Sequence, residues 1–101
     1  MVKRRIIWSP RAKRDLFSIL DYYFKRNGSK TYSIKLNASL RASIRLLENH
    51  PRLGFKSDVK NVRILIHGDY GVFYEIREGT IELITIRDSR QDPKKIGIKN
   101  K

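Results

Sequence analysis

The side chains that could do chemistry in this chain are two histidines, several arginines and several tyrosines. His67 is the one candidate general base, because an unperturbed imidazole titrates near neutral pH, but no motif surrounds it. We interpret it, like His50 before Pro51, as an ordinary surface or turn residue. Tyr74 and Glu75 are neighbours on a predicted strand and therefore point to opposite faces, so they should not act as a pair.

The chain contains no cysteine. This excludes disulfides, a thiolate nucleophile and every zinc site that depends on sulfur. Neither histidine has a carboxylate at the spacing of a metal ligand. We therefore expect no metal and no cofactor.

Arginine and tyrosine side chains can also act on a phosphate group. Cleavage of RNA through its 2′-hydroxyl needs a group that takes that proton, cations that stabilise the phosphorane and an acid for the leaving oxygen. The candidates are Arg63, Tyr70, Tyr74, Arg87 and Arg90.

The end of the chain also has a structural interpretation. Arg87, Asp88, Arg90 and Asp92 alternate in sign and could pair among themselves, holding the last strand in place. Exposed pairs of this kind contribute only about 0 to 1 kcal/mol each, so their presence is no sign of function.

The N-terminal half has the pattern of one strand and two helices. Residues 2–8 suit a strand, and Ser9-Pro10 predicts a helix start, because serine caps free amides and proline is tolerated at the first helical position. Apolar residues at three- and four-residue spacing predict a helix over 10–26, which Asn27-Gly28 ends. We expect Ser29 to cap a second helix that runs toward His50, giving an antiparallel hairpin.

From Pro51 onward the pattern has a period of two. Residues 62–67, 70–77 and 80–87 predict three strands, the last covered on both faces, and 55–57 a short extra one. The predicted fold is α+β: an N-terminal strand and a helical hairpin packed on a three- to four-stranded antiparallel sheet. The first strand should pair at an edge or beside the last.

The sequence predicts one domain over residues 1–93 and a basic, mobile tail over 94–101. Apolar runs are far too short for a membrane span, and no secretory signal is present. A soluble, cytoplasmic protein is expected.

The formal net charge is +13 over 101 residues. It is unevenly distributed: residues 1–30 carry +7, 31–60 carry +4, 61–93 carry −2 and the tail +4. Such an excess favours an acidic or polyanionic partner. The strands that would hold an active site are the least basic part, so we interpret the charge as a surface for an acidic protein.

Two aromatic features lie in the N-terminal half. Trp8 could stack on a base, given its basic neighbours, but directly before a helix it is better interpreted as a core anchor. Residues 22–24 are three aromatics in a row, of which one helix buries only part. We expect Tyr22 to face solvent or a partner.

Four short motifs occur in order along the chain: I-I-W-S-P-R-A-K-R-D-L (6–16), L-L-E-N-H-P-R-L-G (46–54), Y-G-V-F-Y-E-I (70–76) and R-D-S-R-Q-D-P (87–93). Together they resemble the RelE/ParE superfamily of type II toxins, and more closely its ParE branch. The resemblance implies a growth-inhibiting toxin of a plasmid-stabilisation type, neutralised by a cognate acidic antitoxin in a hetero-oligomer.

The resemblance also distinguishes two chemistries. ParE-like members are regarded as poisons of DNA gyrase, whereas RelE-like members cut mRNA at the ribosome. In the RelE-like strand an arginine follows the first aromatic, where this chain has Gly71, and a C-terminal tyrosine falls here on Ile96. Arg90 matches the C-terminal arginine. The sequence therefore favours target binding over catalysis.

Three hypotheses remain open. In the first, a ParE-like toxin binds its target through Arg63, Arg90 and Gln91, and its antitoxin through Arg14, Tyr22 and Arg41. In the second, a RelE-like endoribonuclease uses Arg63, Arg87, Arg90 and Tyr70 or Tyr74. The third is a non-toxic nucleic-acid binder, for which no recognition motif is present.

Overall fold

A computed structural model describes residues 3–88, and the account below concerns that part of the chain. The elements in chain order are β1 (Arg5–Trp8), α1 (Pro10–Asn27), α2 (Thr31–Arg45), a single 3₁₀ turn (Leu46–Glu48), β2 (Phe55–Lys56), β3 (Val62–His67), β4 (Tyr70–Arg77) and β5 (Thr80–Asp88). The predicted α+β class and helical hairpin are confirmed. The predicted tail, Arg90 and Gln91 lie outside the described residues.

The five strands form one sheet in the order β1-β5-β4-β3-β2. Among β2, β3, β4 and β5, neighbouring strands are antiparallel. β1 runs parallel to β5, with Arg5 opposite Thr80 and Trp8 opposite Leu83. The first strand thus lies both at an edge and beside the last. β5 was expected to be covered on both faces, but the strand most fully covered is the middle one, β4. The hairpin covers one face of β4, and a second, small apolar cluster covers the other.

The start of α1 follows the prediction. The Ser9 side-chain oxygen accepts a hydrogen bond from the Ala12 amide at 3.0 Å, and Pro10 occupies the first turn. Gly28 ends the helix at φ 71°, a left-handed backbone that glycine adopts without a steric penalty, and donates its amide to the Phe24 carbonyl.

The predicted cap of α2 is wrong. The residue at the cap position is Lys30, not Ser29, and it makes no side-chain hydrogen bond to the helix. Its backbone is already helix-like (φ −88°, ψ −4°), and its side chain has no oxygen with which to accept. The start of α2 is attached to α1 by a hydrogen bond instead. The buried Ser33 donates its hydroxyl to the Leu20 carbonyl of α1 at 2.7 Å.

The main core lies between the hairpin and the sheet. It combines one face of each helix with one face of the strands: Ala12, Leu16, Leu36, Leu40, Ile44, Leu47, Leu65, Tyr70, Val72, Tyr74, Ile81, Leu83 and Ile86. A smaller cluster of Ile64 and Phe73, with Ile84 against it, covers the opposite face. These two clusters explain why β3 and β4 bury consecutive residues instead of alternating ones.

Trp8 is half-buried and packs against the main core, and the Arg41 guanidinium carbon lies 4.9 Å from its ring centroid. We expect Trp8→Ala to lower the free energy of unfolding by about 2 to 3 kcal/mol, from the apolar area that half of an indole buries. Arg41→Ala, which removes the cation–π contact and an exposed hydrogen bond to the Asn37 side chain, should cost about 0.5 to 1 kcal/mol. Urea unfolding of both variants measures this, and equal losses would contradict it.

Candidate functional site

Two of the predicted catalytic residues, Arg63 and Tyr74, are opposite one another on β3 and β4. Both are bound to the loop that precedes β2. The Tyr74 hydroxyl donates to the Pro51 carbonyl at 2.7 Å and accepts from the Gly54 amide at 2.9 Å, and Arg63 Nη1 donates to the Gly54 carbonyl at 2.6 Å. The structure thus brings the two side chains together as loop anchors.

The burial and the hydrogen bonds of Tyr74 argue against a catalytic role for this side chain. The side chain is completely buried, and burial raises the pKa of its hydroxyl above the usual 10.0, although the Gly54 amide and the Arg63 charge act in the other direction. Gly54 allows the close approach, because a β-carbon there would lie 2.8 Å from the Tyr74 hydroxyl oxygen. A protonated hydroxyl enclosed by protein has no path to a substrate.

Gly71, which stands where RelE-like strands have an arginine, is also closely surrounded by side chains. A β-carbon on Gly71 would lie 3.2 Å from Ile64 Cγ2 and 3.6 Å from Ile66 Cδ1. A long cationic side chain would therefore have to displace apolar packing. The local structure is built around a glycine here.

Three of the other predicted residues line a cleft of about 350 Å³ between α1 and the ends of β4 and β5. Tyr22 is half-exposed and lines it, as do Tyr70 and Arg87. Its remaining charged residues are Asp15 and Asp88. We define this as the terminal cleft. It unites a predicted antitoxin contact with two predicted catalytic residues.

The tyrosine hydroxyls of the terminal cleft are already paired. Tyr70 donates to the Tyr23 hydroxyl at 3.0 Å, and Arg26 donates to the Tyr22 hydroxyl at 2.8 Å. Among described residues the lining has one cation and two carboxylates, a poor arrangement for stabilising a phosphorane, which needs convergent positive charge. An amphipathic aromatic surface of this kind is typical of protein contacts.

Sequence reasoning missed how α1 is attached to β5. The Asp15 carboxylate accepts from the Thr85 hydroxyl and, at 3.0 Å, from the Ile86 amide, while the Ser9 hydroxyl donates to the Ile84 carbonyl at 2.9 Å. This stretch lies opposite the register shift between Phe73 and Tyr74. The serine and aspartate of the first motif are thus structural; Ser9 was predicted only as the cap of α1, and Asp15 was noted only as a member of the motif.

His67 is held between two serines of α2. Its ring nitrogens lie 3.0 Å from the Ser39 hydroxyl oxygen and 2.8 Å from that of Ser43. Since both nitrogens have partners, the ring fastens the end of β3 to the helix. His67 is thus a half-buried strand residue attached to α2, rather than the ordinary surface or turn residue that the sequence predicted.

The three predicted antitoxin contacts have different surroundings. Tyr22 lines the terminal cleft, whereas Arg41 stacks on Trp8 beside β1 and donates to the Asn37 side chain at 2.9 Å. Arg14 is exposed on α1.

Within residues 3–88, no three His, Asp or Glu side chains are grouped so that they could hold a metal ion. The two described helices are also not long and apolar enough to cross a membrane.

Comparison with known proteins places this geometry in a family. The model of the ParE toxin of type II toxin–antitoxin systems (parDE) matches residues 6–93. A search of curated protein sequences finds no match.

Solved structures share the fold, two of which are compared below. A chain of the chromosomal ParDE system from P. aeruginosa is 20% identical with a TM-score of 0.75, the alignment covering 85% of this chain and 96% of that one. A chain of the RelBE2 toxin–antitoxin complex from Mycobacterium tuberculosis is 17% identical with a TM-score of 0.61, covering 87% and 93%. The family match over nearly the whole chain, on this fold, means that the protein belongs to the ParE toxin family of type II toxin–antitoxin systems.

Proposed function

We propose that this chain arrests growth by binding a cellular protein in the cytoplasm, with DNA gyrase as the first target to test, and that an acidic antitoxin encoded beside it neutralises it. The family match over residues 6–93 is the observation that carries the proposal. The likeness to chains of two toxin–antitoxin systems agrees with an antitoxin partner.

The site geometry favours binding over RNA cleavage. Tyr74 is buried, Arg63 is bound to loop carbonyls and Gly71 stands where RelE-like enzymes have an arginine. The exposed Tyr22 and the half-buried Arg87 of the terminal cleft suit a protein contact. A RelE-like endoribonuclease is the second candidate, because Tyr70 and Arg87 line the same cleft.

Induced expression of the chain alone should arrest growth, and co-expression of the adjacent small open reading frame should restore it. In parallel, purified protein should inhibit gyrase supercoiling, while transcript ends mapped after induction should stay unchanged. Full tolerance of unneutralised expression would contradict the proposal.

The variant Arg87→Ala distinguishes the two candidates. New transcript ends that appear with wild-type protein and vanish with Arg87→Ala would establish the endoribonuclease instead. The matched control is Arg14→Ala, an exposed arginine of α1 that does not line the terminal cleft.

A further inference from the structure

Positive charge is concentrated where β3 begins. Residues 51–63 contain Arg52, Lys56, Lys60 and Arg63 against the single acid Asp58. These residues belong to the loop before β2, to β2, to the β2–β3 loop and to β3. The fold brings all five of them to the lining of one hollow of about 700 Å³. We define this as the cationic hollow.

The cationic hollow has the opposite charge balance to the terminal cleft. The described lining of the terminal cleft holds one cation and two carboxylates, whereas that of the cationic hollow holds four cations and one carboxylate. Asn61 also lines the hollow and adds an amide that can donate hydrogen bonds. An excess of charged donors on a concave surface suits a ligand with several negatively charged oxygens.

Arg63 is held in position within the hollow. Its Nη1 donates to the Gly54 carbonyl at 2.6 Å and to the Arg52 carbonyl at 3.3 Å. A guanidinium carries five N–H donors, so two bonds from one nitrogen leave donors for a ligand. Because the side chain is already oriented, less conformational entropy is lost when a ligand binds to it.

The β2–β3 loop is also ordered by internal hydrogen bonds. The Ser57 hydroxyl donates to the Val62 carbonyl at 2.9 Å and accepts from the Val59 amide at 3.1 Å. The Asn61 carbonyl accepts from the Ile76 amide of β4 at 2.9 Å. The lysines of this stretch thus project from a fixed backbone.

We infer that the cationic hollow binds the phosphate backbone of a nucleic acid strand. Every nucleotide carries one negative charge whatever its base, so any short stretch of strand can bring phosphates to the four cations. Arginine binds a phosphate through a fork of N–H donors, and lysine binds it as a point charge. The described lining includes no aromatic ring on which a base could stack, so binding is independent of base sequence.

The charge of the hollow favours this occupant over two others. An extended peptide points successive side chains to opposite sides, so consecutive acidic residues cannot all face the cations. A second copy of this chain would bring like charge to the hollow, since the net charge is +13. A phosphodiester strand has neither disadvantage.

This inference goes beyond the proposed function and does not depend on it. A toxin with such a site binds a protein target more strongly where that target lies on nucleic acid. The two contacts then act together, because the first raises the effective concentration for the second.

The salt dependence of binding tests the site. Fluorescence anisotropy is measured for the full chain with a labelled DNA duplex and a labelled single-stranded RNA, at several salt concentrations. Four phosphate contacts predict that the logarithm of the binding constant falls against that of salt with a slope of about −3.6 on the duplex and about −2.8 on the single strand. For the duplex this is a loss on the order of 100-fold between about 50 and about 200 mM salt.

Two double variants locate the contacts. Lys56→Ala with Lys60→Ala removes two cations of the hollow, which should make the duplex slope shallower by about 1.8 and weaken binding at low salt on the order of tenfold. The matched control, Lys13→Ala with Lys35→Ala, removes the same charge from α1 and α2 and should keep the slope of wild type. All four lysines are exposed, so both proteins should fold, and urea unfolding checks this.

Each outcome decides for or against the site. Binding of either nucleic acid with a slope that depends on Lys56 and Lys60 supports it, and the tighter ligand identifies the source of the phosphates. No binding at low salt, or equal slopes for the two double variants, overturns the inference and leaves the proposed function intact. Binding of a glutamate-rich peptide but of neither nucleic acid also overturns it, and assigns the hollow to an acidic protein.

The opposite failure is distinguishable as well. A chain that binds nucleic acid through the hollow, yet neither arrests growth nor inhibits gyrase, contradicts the proposed function and leaves this inference standing.

Discussion

Replacing Tyr74 with alanine should lower the free energy of unfolding by about 3 to 5 kcal/mol, a large effect for a chain of this size. The ring is completely buried in the main core, so its removal leaves a cavity. The hydroxyl also holds the loop before β2 through Pro51 and Gly54. Thermal and urea unfolding measure the loss.

Tyr74→Phe isolates the hydroxyl. It keeps the ring but leaves the Gly54 amide and the Pro51 carbonyl without this partner, which should cost about 1 to 3 kcal/mol. Tyr22→Phe is the matched control, because its hydroxyl bonds only at the exposed surface to Arg26. A Tyr74→Phe protein as stable as wild type would contradict the anchoring role.

The same hydroxyl predicts a pH dependence. Burial raises the folded-state pKa of Tyr74 above its unfolded value near 10, so the folded protein keeps this proton to higher pH than the unfolded chain does. The resulting stabilisation is complete below about pH 10 and falls as the pH rises through the folded pKa. Wild type should therefore lose stability above pH 10 more steeply than Tyr74→Phe.

Asp15→Ala should be the second large effect, lowering the free energy of unfolding by about 2 to 4 kcal/mol. The carboxylate accepts two hydrogen bonds from β5, from the Thr85 hydroxyl and the Ile86 amide, and Thr85 is buried. Its removal leaves both donors without this acceptor and loosens α1 from the sheet. Urea unfolding measures the change.

The same helix offers a matched control in Asp21→Ala. Asp21 pairs only with exposed Lys25, four residues on, at 3.1 Å, and such a pair contributes about 0.3 to 0.5 kcal/mol. A double-mutant cycle of Asp15→Ala with Thr85→Val should give a coupling energy near 1 kcal/mol or above. Additive losses would show that the two side chains act independently.

Local signals in the sequence sufficed for most of the fold. Three- and four-residue spacing of apolar residues, with Ser9-Pro10 before and Asn27-Gly28 after, predicted α1 to within one residue at its end. The alternating pattern of residues predicted β3, β4 and β5, although β3 and β4 bury consecutive residues because both faces of the sheet are covered there. The predicted cap of α2 was wrong, since Lys30 occupies the position where an oxygen-bearing side chain was expected.

The contacts of the candidate site were harder to predict from the sequence, because they join residues far apart in the chain. The bond from Asp15 to Thr85 spans 70 positions, and no local period or propensity encodes it. Tyr74 was proposed as catalytic because tyrosines suit RNA cleavage. The burial of Tyr74 depends on the position of β4 beneath both helices. The residue pattern of one strand does not specify that position.

The pairing of the first strand with the last also governs when the molecule can be completed during translation. β1 lies beside β5, and the bond between Ser9 and Ile84 joins positions 75 apart. The helical hairpin rests on local contacts and can form early, but β1 has no place to dock until β5 has left the ribosome. A prematurely terminated chain therefore lacks the finished sheet, so only a nearly complete translation product can acquire the surfaces of a toxin.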